Sequence, residues 1–258
     1  MQTKGMPLIK PFIAKFFDDR VATATCEHGH QMAFVLRAQK FELLLESGAN
    51  ALLAGFTLEA SASFSAALER FFEFAIKVIL KHFKMGEALY EEMFKTMSRQ
   101  SERQTGAFLV LHALIFDCTY KINNKVVEFR NAVIHKGTIP SPEQAHNFCE
   151  LVYSEIYKIS SLLTSHCHMA IKDILRQDFE SRVSVVPIDL RIHGAQRTSI
   201  FSIEILQNRK NFSDALENYK SFNATLRRAS KDIPKLLEVI TKDPELSKII
   251  DTTRPKEP

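Results

Sequence analysis

The sequence predicts a mostly α protein, a helical body followed by a small α+β appendage carrying a β-hairpin, and three observations lead there. Apolar residues recur at helical spacing through most of the chain up to about residue 178. Phe occurs 20 times and Trp not at all, while Gly counts only 8, a balance that favours aromatic-packed helices over turn-rich sandwiches or barrels. Strict alternation of apolar and polar residues begins only after Arg182. At 258 residues, 45% hydrophobic and 25% charged, the chain has ample material for a sizeable core.

Residues 1–30 read as an N-terminal segment, 31–178 as the helical domain and 183–258 as the appendage. The opening "MQTKGMPLIKPFIAKFFDDR" has Pro7 and Pro11, acidic residues soon after, and no continuous apolar core. No signal peptide is expected from it. From Gln31 to about Phe83 the apolar positions follow helical spacing, clearest in Phe64, Leu68, Phe71, Phe72, Ile76, Ile79 and Phe83. Within "SGANALLAGF", Gly48 and Gly55 signal either a break between two helices or a close helix–helix contact. The break is expected near Gly48.

Further helices follow at about 86–99 and 105–123, where "INN" reads as a stop. A helix from Lys125 to Ile134 should end at Gly137, because glycine takes the left-handed conformation readily and Pro140 comes just after. Ser141 then reads as the next N-cap, with Pro142 at the first helical position and Gln144 completing an S-x-x-Q capping box. From Ala145 a single apolar stripe extends to about Ile174. Two strands are expected beyond it, at Val186–Ile192 and Phe201–Ile205, joined by "HGAQRT" as a hairpin, with Pro187 marking an edge. Helical spacing resumes around Leu216–Leu226 and Leu236–Ile240 before a charged tail.

Composition also removes function classes. The longest apolar stretch, "AFLVLHALIF", is about half of what a membrane span needs and is interrupted by His112. Cysteines 26, 118, 149 and 167 form no C-x-x-C pair, so reduced thiols and a cytoplasmic location are expected. A net charge of +4 is a mild basic bias, compatible with an anionic partner. No P-loop, dinucleotide fingerprint, nucleophile elbow or H-E-x-x-H occurs.

The segment with chemical potential is "EFRNAVIHKGTIPSPEQ", residues 128–144. On an ideal helix Asn131 and His135 share a face, while Arg130 lies about 100° round but is long enough to reach across. A guanidinium fork matches phosphate oxygens, and an imidazole exchanges protons near neutral pH. That pair suits phosphodiester cleavage, in which an RNA 2′-OH attacks the adjacent phosphorus and the protein supplies proton transfer and charge stabilisation. The alternative is structural: Arg130 bridges to a neighbouring helix, and His135 meets last-turn carbonyls where a cation also suits the helix dipole.

"FRNAVIHKGTIPSPEQAHNF" resembles the R-x4-H motif of the HEPN superfamily, and "SFSAALERFFEFAI" upstream resembles the second helix of bacterial HEPN proteins. The resemblance covers about residues 31–176. It implies a HEPN-like helical bundle and a metal-independent endoribonuclease needing no cofactor, a toxin or anti-phage defence effector. It also implies that Arg130 contacts the scissile phosphate, His135 acts as acid/base and Asn131 orients them, in a homodimer with a composite site. An antitoxin or defence partner protein belongs to the same expectation, as does a second possibility: a non-catalytic HEPN module that binds RNA, a nucleotide or a protein. Family versions paired with nucleotidyltransferase antitoxins carry a Tyr three residues after the His; here that position is Thr138, so control by tyrosine modification is not expected.

Glu69 lies in the resembling upstream helix and is a candidate to hold Arg130. Lys121, Lys125 and Lys136 flank the motif as candidate phosphate contacts or as a solvated face. "CEHGH" (Cys26, His28, His30) and "SHCH" (His166, Cys167, His168) offer zinc-type ligands, but neither spacing fits a standard zinc module. The basic stretch "LRRASKDIPK" reads as wet surface or as a polyanion contact.

Overall fold

The computed structural model describes residues 16–25, 29–97, 100–195, 200–206 and 211–225, with the backbone of residues 2–3 and 6–7. The stretch 226–258, including "LRRASKDIPK" and the expected helix at 236–240, lies outside the described residues, as do Cys26 and His28. The protein is mostly helical with a small sheet. Its described residues divide into two compact units, one drawn from 1–36, 182–195 and 220–225, the other from 37–181 and 200–219.

The first unit holds the strands. β1 (Gln2–Thr3) and β2 (Met6–Pro7) make a short antiparallel ladder, and β3 (Val21–Thr25), β4 (Gln31–Leu36) and β5 (Arg191–Ala195) form a sheet of order β3-β4-β5. Residues 31–36, expected to begin a helix, are therefore a strand. The run "QMAFVL" is dense enough in apolar residues to satisfy either period, and in the fold alternate residues Ala33 and Val35 are fully buried. β3 pairs with β4 antiparallel, from Val21↔Val35 to Thr25↔Gln31.

The expected hairpin between 186–192 and 201–205 does not form among the described residues. β5 pairs instead with β4, in parallel, from Met32↔Arg191 to Leu36↔Ala195, and the Phe34 ring stacks on His193 at 5.6 Å. Residues before it make turns, with Leu190 N–H donating to the Pro187 carbonyl at 3.0 Å. Residues 200–206 carry no strand and belong to the helical unit, where Ile200, Phe201 and Ile203 are buried. Their alternation serves burial in a helical core: the Ile203 N–H donates to Glu42 Oε1 at 2.6 Å instead of to a ladder partner.

The second unit is built around α2 (Thr57–His82), with α1 (Lys40–Leu53), α3 (Glu87–Met97), α4 (Ser101–Phe116), α5 (Asn124–Lys136), α6 (Pro142–Val183, within this unit through Ser181) and α7, residues 212–225, within it to Tyr219. Aromatic packing fills the centre, as the Phe count predicts: Phe41 meets Phe71 edge-on at 5.2 Å, Phe72 lies 4.8 Å from Phe108, and Phe129 stacks on Phe148 at 4.5 Å. Each of the buried rings, Phe41, Phe71, Phe72, Phe108 and Phe148, contributes about 1.5–3 kcal/mol, and Phe129 is half-buried.

Two helix boundaries differ from expectation. The break falls at Gly55 (φ +83°), not near Gly48, which sits inside α1 against the Phe64 ring. α4 stops at Asp117 in the left-handed conformation (φ 50°), and "INN" starts a helix: the Asn123 side chain accepts the Lys125 N–H at 3.0 Å and caps α5. At the next connection the expected signals do what their chemistry dictates. Gly137 ends α5 at φ 68°. Ser141 Oγ accepts the Gln144 N–H at 3.2 Å while Gln144 Oε1 accepts the Ser141 N–H at 2.9 Å, opening α6. α6 runs past its expected end and kinks at Cys167 (φ −122°, ψ 21°). Among the described residues, no helix is long and apolar enough to cross a membrane.

Candidate functional site

α5 is a short helix packed against α2, with Val126 and Val133 on its buried side. Residues at i, i+4, i+7 and i+8 share the opposite side, which places Val127, Asn131, Ile134 and His135 together on its outer face. Val127, Ile134 and His135 are exposed and Asn131 is half-buried. Arg130, about 100° round the helix, turns toward α2: its Nη2 donates to Glu69 Oε1 in an ion pair whose side chains remain 24% and 29% accessible.

The helix end therefore carries two groups of different character. Glu69 fixes the guanidinium, so that its position is set by two helices and not by its own flexible stem. His135 and Lys136 occupy the last turn, where unsatisfied carbonyls give a partial negative charge that favours cations. Among the described residues no hydrogen bond joins Arg130 to Asn131 or His135, so the three heads share a helix end without being tied to one another. Lys121, Lys125 and Lys136 are exposed, and none enters an ion pair among the described residues. The facing N-terminus of α6 is closed by its own capping box and offers Ser141 and Gln144 N–H groups to nothing else.

Of the two zinc-type clusters, the first has Cys26 and His28 outside the described residues, and the second does not gather. On α6 the Cys167 side chain is buried while His166 and His168 are exposed, because consecutive helical side chains diverge. His166 Nδ1 lies 3.0 Å from the Leu162 carbonyl oxygen, and its ring packs on Phe116 at 5.0 Å. Cys118 is the exposed thiol among the described ones; burial raises the pKa of Cys149 and pushes that of Cys167 up to about 11.

Two further features escape a reading of the sequence. The Tyr120 hydroxyl, just upstream of α5, donates to Glu155 on α6, and burial with that hydrogen bond raises the phenol's pKa. A half-open groove of about 380 Å³ runs along α6, lined by Thr164, Lys172, Leu175 and Phe179 on the helix and by Arg37 and Ile203 opposite. The Thr-x3-His-x3-Lys spacing of 164, 168 and 172 is the one local signal for it. Comparison with protein-family models, with characterised protein sequences and with solved structures finds no significant match.

Proposed function

We propose that the chain is a HEPN-type, metal-independent endoribonuclease that cleaves RNA by 2′-OH attack, acting as a toxin or anti-phage defence effector. The observation that carries this reading is the Glu69-anchored Arg130 beside an exposed last turn bearing His135. Arg130 receives the scissile phosphate and stabilises the charge that builds on its oxygens as the phosphorus becomes five-coordinate. The 2′-oxygen bonds to phosphorus, the P–O5′ bond breaks, and the products are a 2′,3′-cyclic phosphate and a free 5′-OH. One proton leaves the 2′-OH and one reaches the 5′-oxygen, so the reaction needs a base and an acid. Each chain offers one His135. A homodimer that brings two α5 ends together supplies both imidazoles, and the exposed Val127 and Ile134 beside Asn131 give that face apolar area to bury. Lys136, with Lys121 and Lys125, extends the cationic track for flanking phosphates.

The test is incubation of purified protein with structured and unstructured RNA in excess chelator. Cyclic-phosphate ends that vanish in Arg130→Ala and His135→Ala, with folding retained, are the expected result; breakage indifferent to both substitutions removes the proposal.

A second reading has its own observation. Arg130 spends its guanidinium on Glu69 and has no hydrogen bond to His135, which is the arrangement of a structural tie between α2 and α5. A non-catalytic HEPN module that binds RNA, a nucleotide or a partner protein would retain ligand without breaking RNA and would leave host growth unchanged on strong expression.

A further inference from the structure

The groove along α6 is separate from the α5 end, and its lining is chemically asymmetric. Its volume, about 380 Å³, is that of a small-molecule site. Ile171, Leu175 and Phe179 from α6 and Ile203 opposite give it an apolar wall. Thr164 contributes a hydroxyl whose oxygen is buried without a hydrogen-bond partner, an arrangement that folded proteins avoid unless a ligand or water completes it.

The charges can be balanced residue by residue. Arg176 is held by Glu180, Nη1 to Oε1 at 3.1 Å, and by Asp173, Nη2 to Oδ1 at 3.7 Å. Arg37 faces Glu204 at 3.9 Å and lies over the Phe179 ring at 4.9 Å. Lys172 enters no ion pair or hydrogen bond among the described residues, so it is the cation of the lining that no neighbouring carboxylate engages.

We propose that this groove binds a small monoanionic amphiphile, a carboxylate or a phosphate ester on a short apolar body. The body packs against Leu175, Phe179 and Ile203, the head pairs with Lys172, and a head-group oxygen satisfies Thr164. Desolvation of the apolar body supplies affinity, while the Lys172 ammonium, unengaged by any carboxylate of the lining, sets the preference for an anion over a neutral or cationic analogue. Carboxylate and phosphate share this chemistry, and the two are separated by experiment.

The test uses the full chain with 1-anilinonaphthalene-8-sulfonate as a fluorescent probe, displaced by octanoate, octyl phosphate, octanol and octylammonium. The expected result is displacement by one of the two anions at a concentration about tenfold below that of octanol, with octylammonium weakest; the better anion identifies the head group. Lys172 is exposed, so Lys172→Glu should fold normally, lose the anion preference and leave octanol displacement unchanged. Thr164→Val should weaken the preferred anion more than octanol. Equal displacement by octanol and both anions in the wild-type protein, or anion displacement unaltered by Lys172→Glu, overturns the proposal.

Discussion

The Arg130 guanidinium on α5 donates to the Glu69 carboxylate on α2, joining residues 61 positions apart at the helix end that carries His135. Both side chains are about three-quarters covered, so their coupling should exceed that of a fully exposed pair and reach about 1 kcal/mol in a double-mutant cycle. Chemical unfolding of Glu69→Ala, Arg130→Ala and the double variant measures it. On RNA, Arg130→Ala should abolish cleavage, whereas Glu69→Ala should lower kcat about tenfold with KM nearly unchanged, and Glu69→Gln should recover part of the loss. Equal stability losses with no cleavage in any variant would assign the pair to structure alone.

Two glycines should respond to alanine for different reasons. A Cβ at Gly48 would stand 2.4 Å from Phe64 Cδ2 and 2.7 Å from Cε2, on a ring with no room to retreat because Phe64 is fully buried. The intrinsic helix gain of about 1 kcal/mol is outweighed by overpacking of about 1–3 kcal/mol. Gly48→Ala should therefore destabilise. At Gly137 a Cβ meets nothing within 4 Å, and the cost comes from φ +68° alone, about 1–2 kcal/mol. Gly137→Asn should recover most of that, since Asn tolerates the left-handed region, whereas no small residue other than glycine relieves position 48. Thermal melts of the four proteins distinguish the two mechanisms.

These elements also show what a sequence can disclose. Gly137, Ser141 and Gln144 act within a few residues of one another, so their turn and capping chemistry is legible directly, as is the α6 stripe that follows. Glycine at 48 and 55 presents the same letter for opposite uses, and only the position of Phe64 and the φ of Gly55 separate contact from break. The strand at 31–36 and the parallel partner at 191–195 are beyond local reading because helices α1 to α6 lie between them in the chain. Of the α5 site, the shared face of Asn131 and His135 follows from spacing. The direction of Arg130 depends on which residue of α2 faces it, and no local pattern encodes that. The Tyr120–Glu155 bond is invisible for the same reason.

That bond predicts alkaline behaviour. Burial, the Glu155 hydrogen bond and the Glu155 charge all raise the Tyr120 pKa, while burial, Glu73 and Glu87 raise that of Tyr90. A pKa raised in the folded state means the native protein binds the proton more tightly than the unfolded chain. The contribution is fully present below the unfolded value of about 10 and declines as pH rises above it. Absorbance titration at 295 nm should show that Tyr90 and Tyr120 ionise only as the protein unfolds. Tyr120→Phe should remove one of them from that step. It should also cost about 1–2 kcal/mol near neutral pH, because Glu155 loses a donor.

The last prediction concerns the buried carboxylate that replaces a β-ladder. Glu42 is 4% accessible; its Oε2 accepts the Gln39 N–H at 2.7 Å and its Oε1 accepts the Ile203 N–H at 2.6 Å. One side chain thus caps α1 and anchors the 200–206 segment, whose Phe201 and Ile203 are buried in the helical core. Glu42→Gln keeps the volume but offers one acceptor oxygen and one amide nitrogen, so one of the two N–H groups faces a donor. The expected loss is about 1–3 kcal/mol, with faster amide exchange at either Gln39 or Ile203 according to which way the amide turns. Glu42→Asp retains both oxygens but shortens the reach by one methylene, and should lose the Ile203 contact while the local bond to Gln39 survives. Hydrogen exchange resolved at residues 39 and 203 separates these outcomes. Unchanged protection at both positions in both variants would show that segment 200–206 is held by its buried side chains alone.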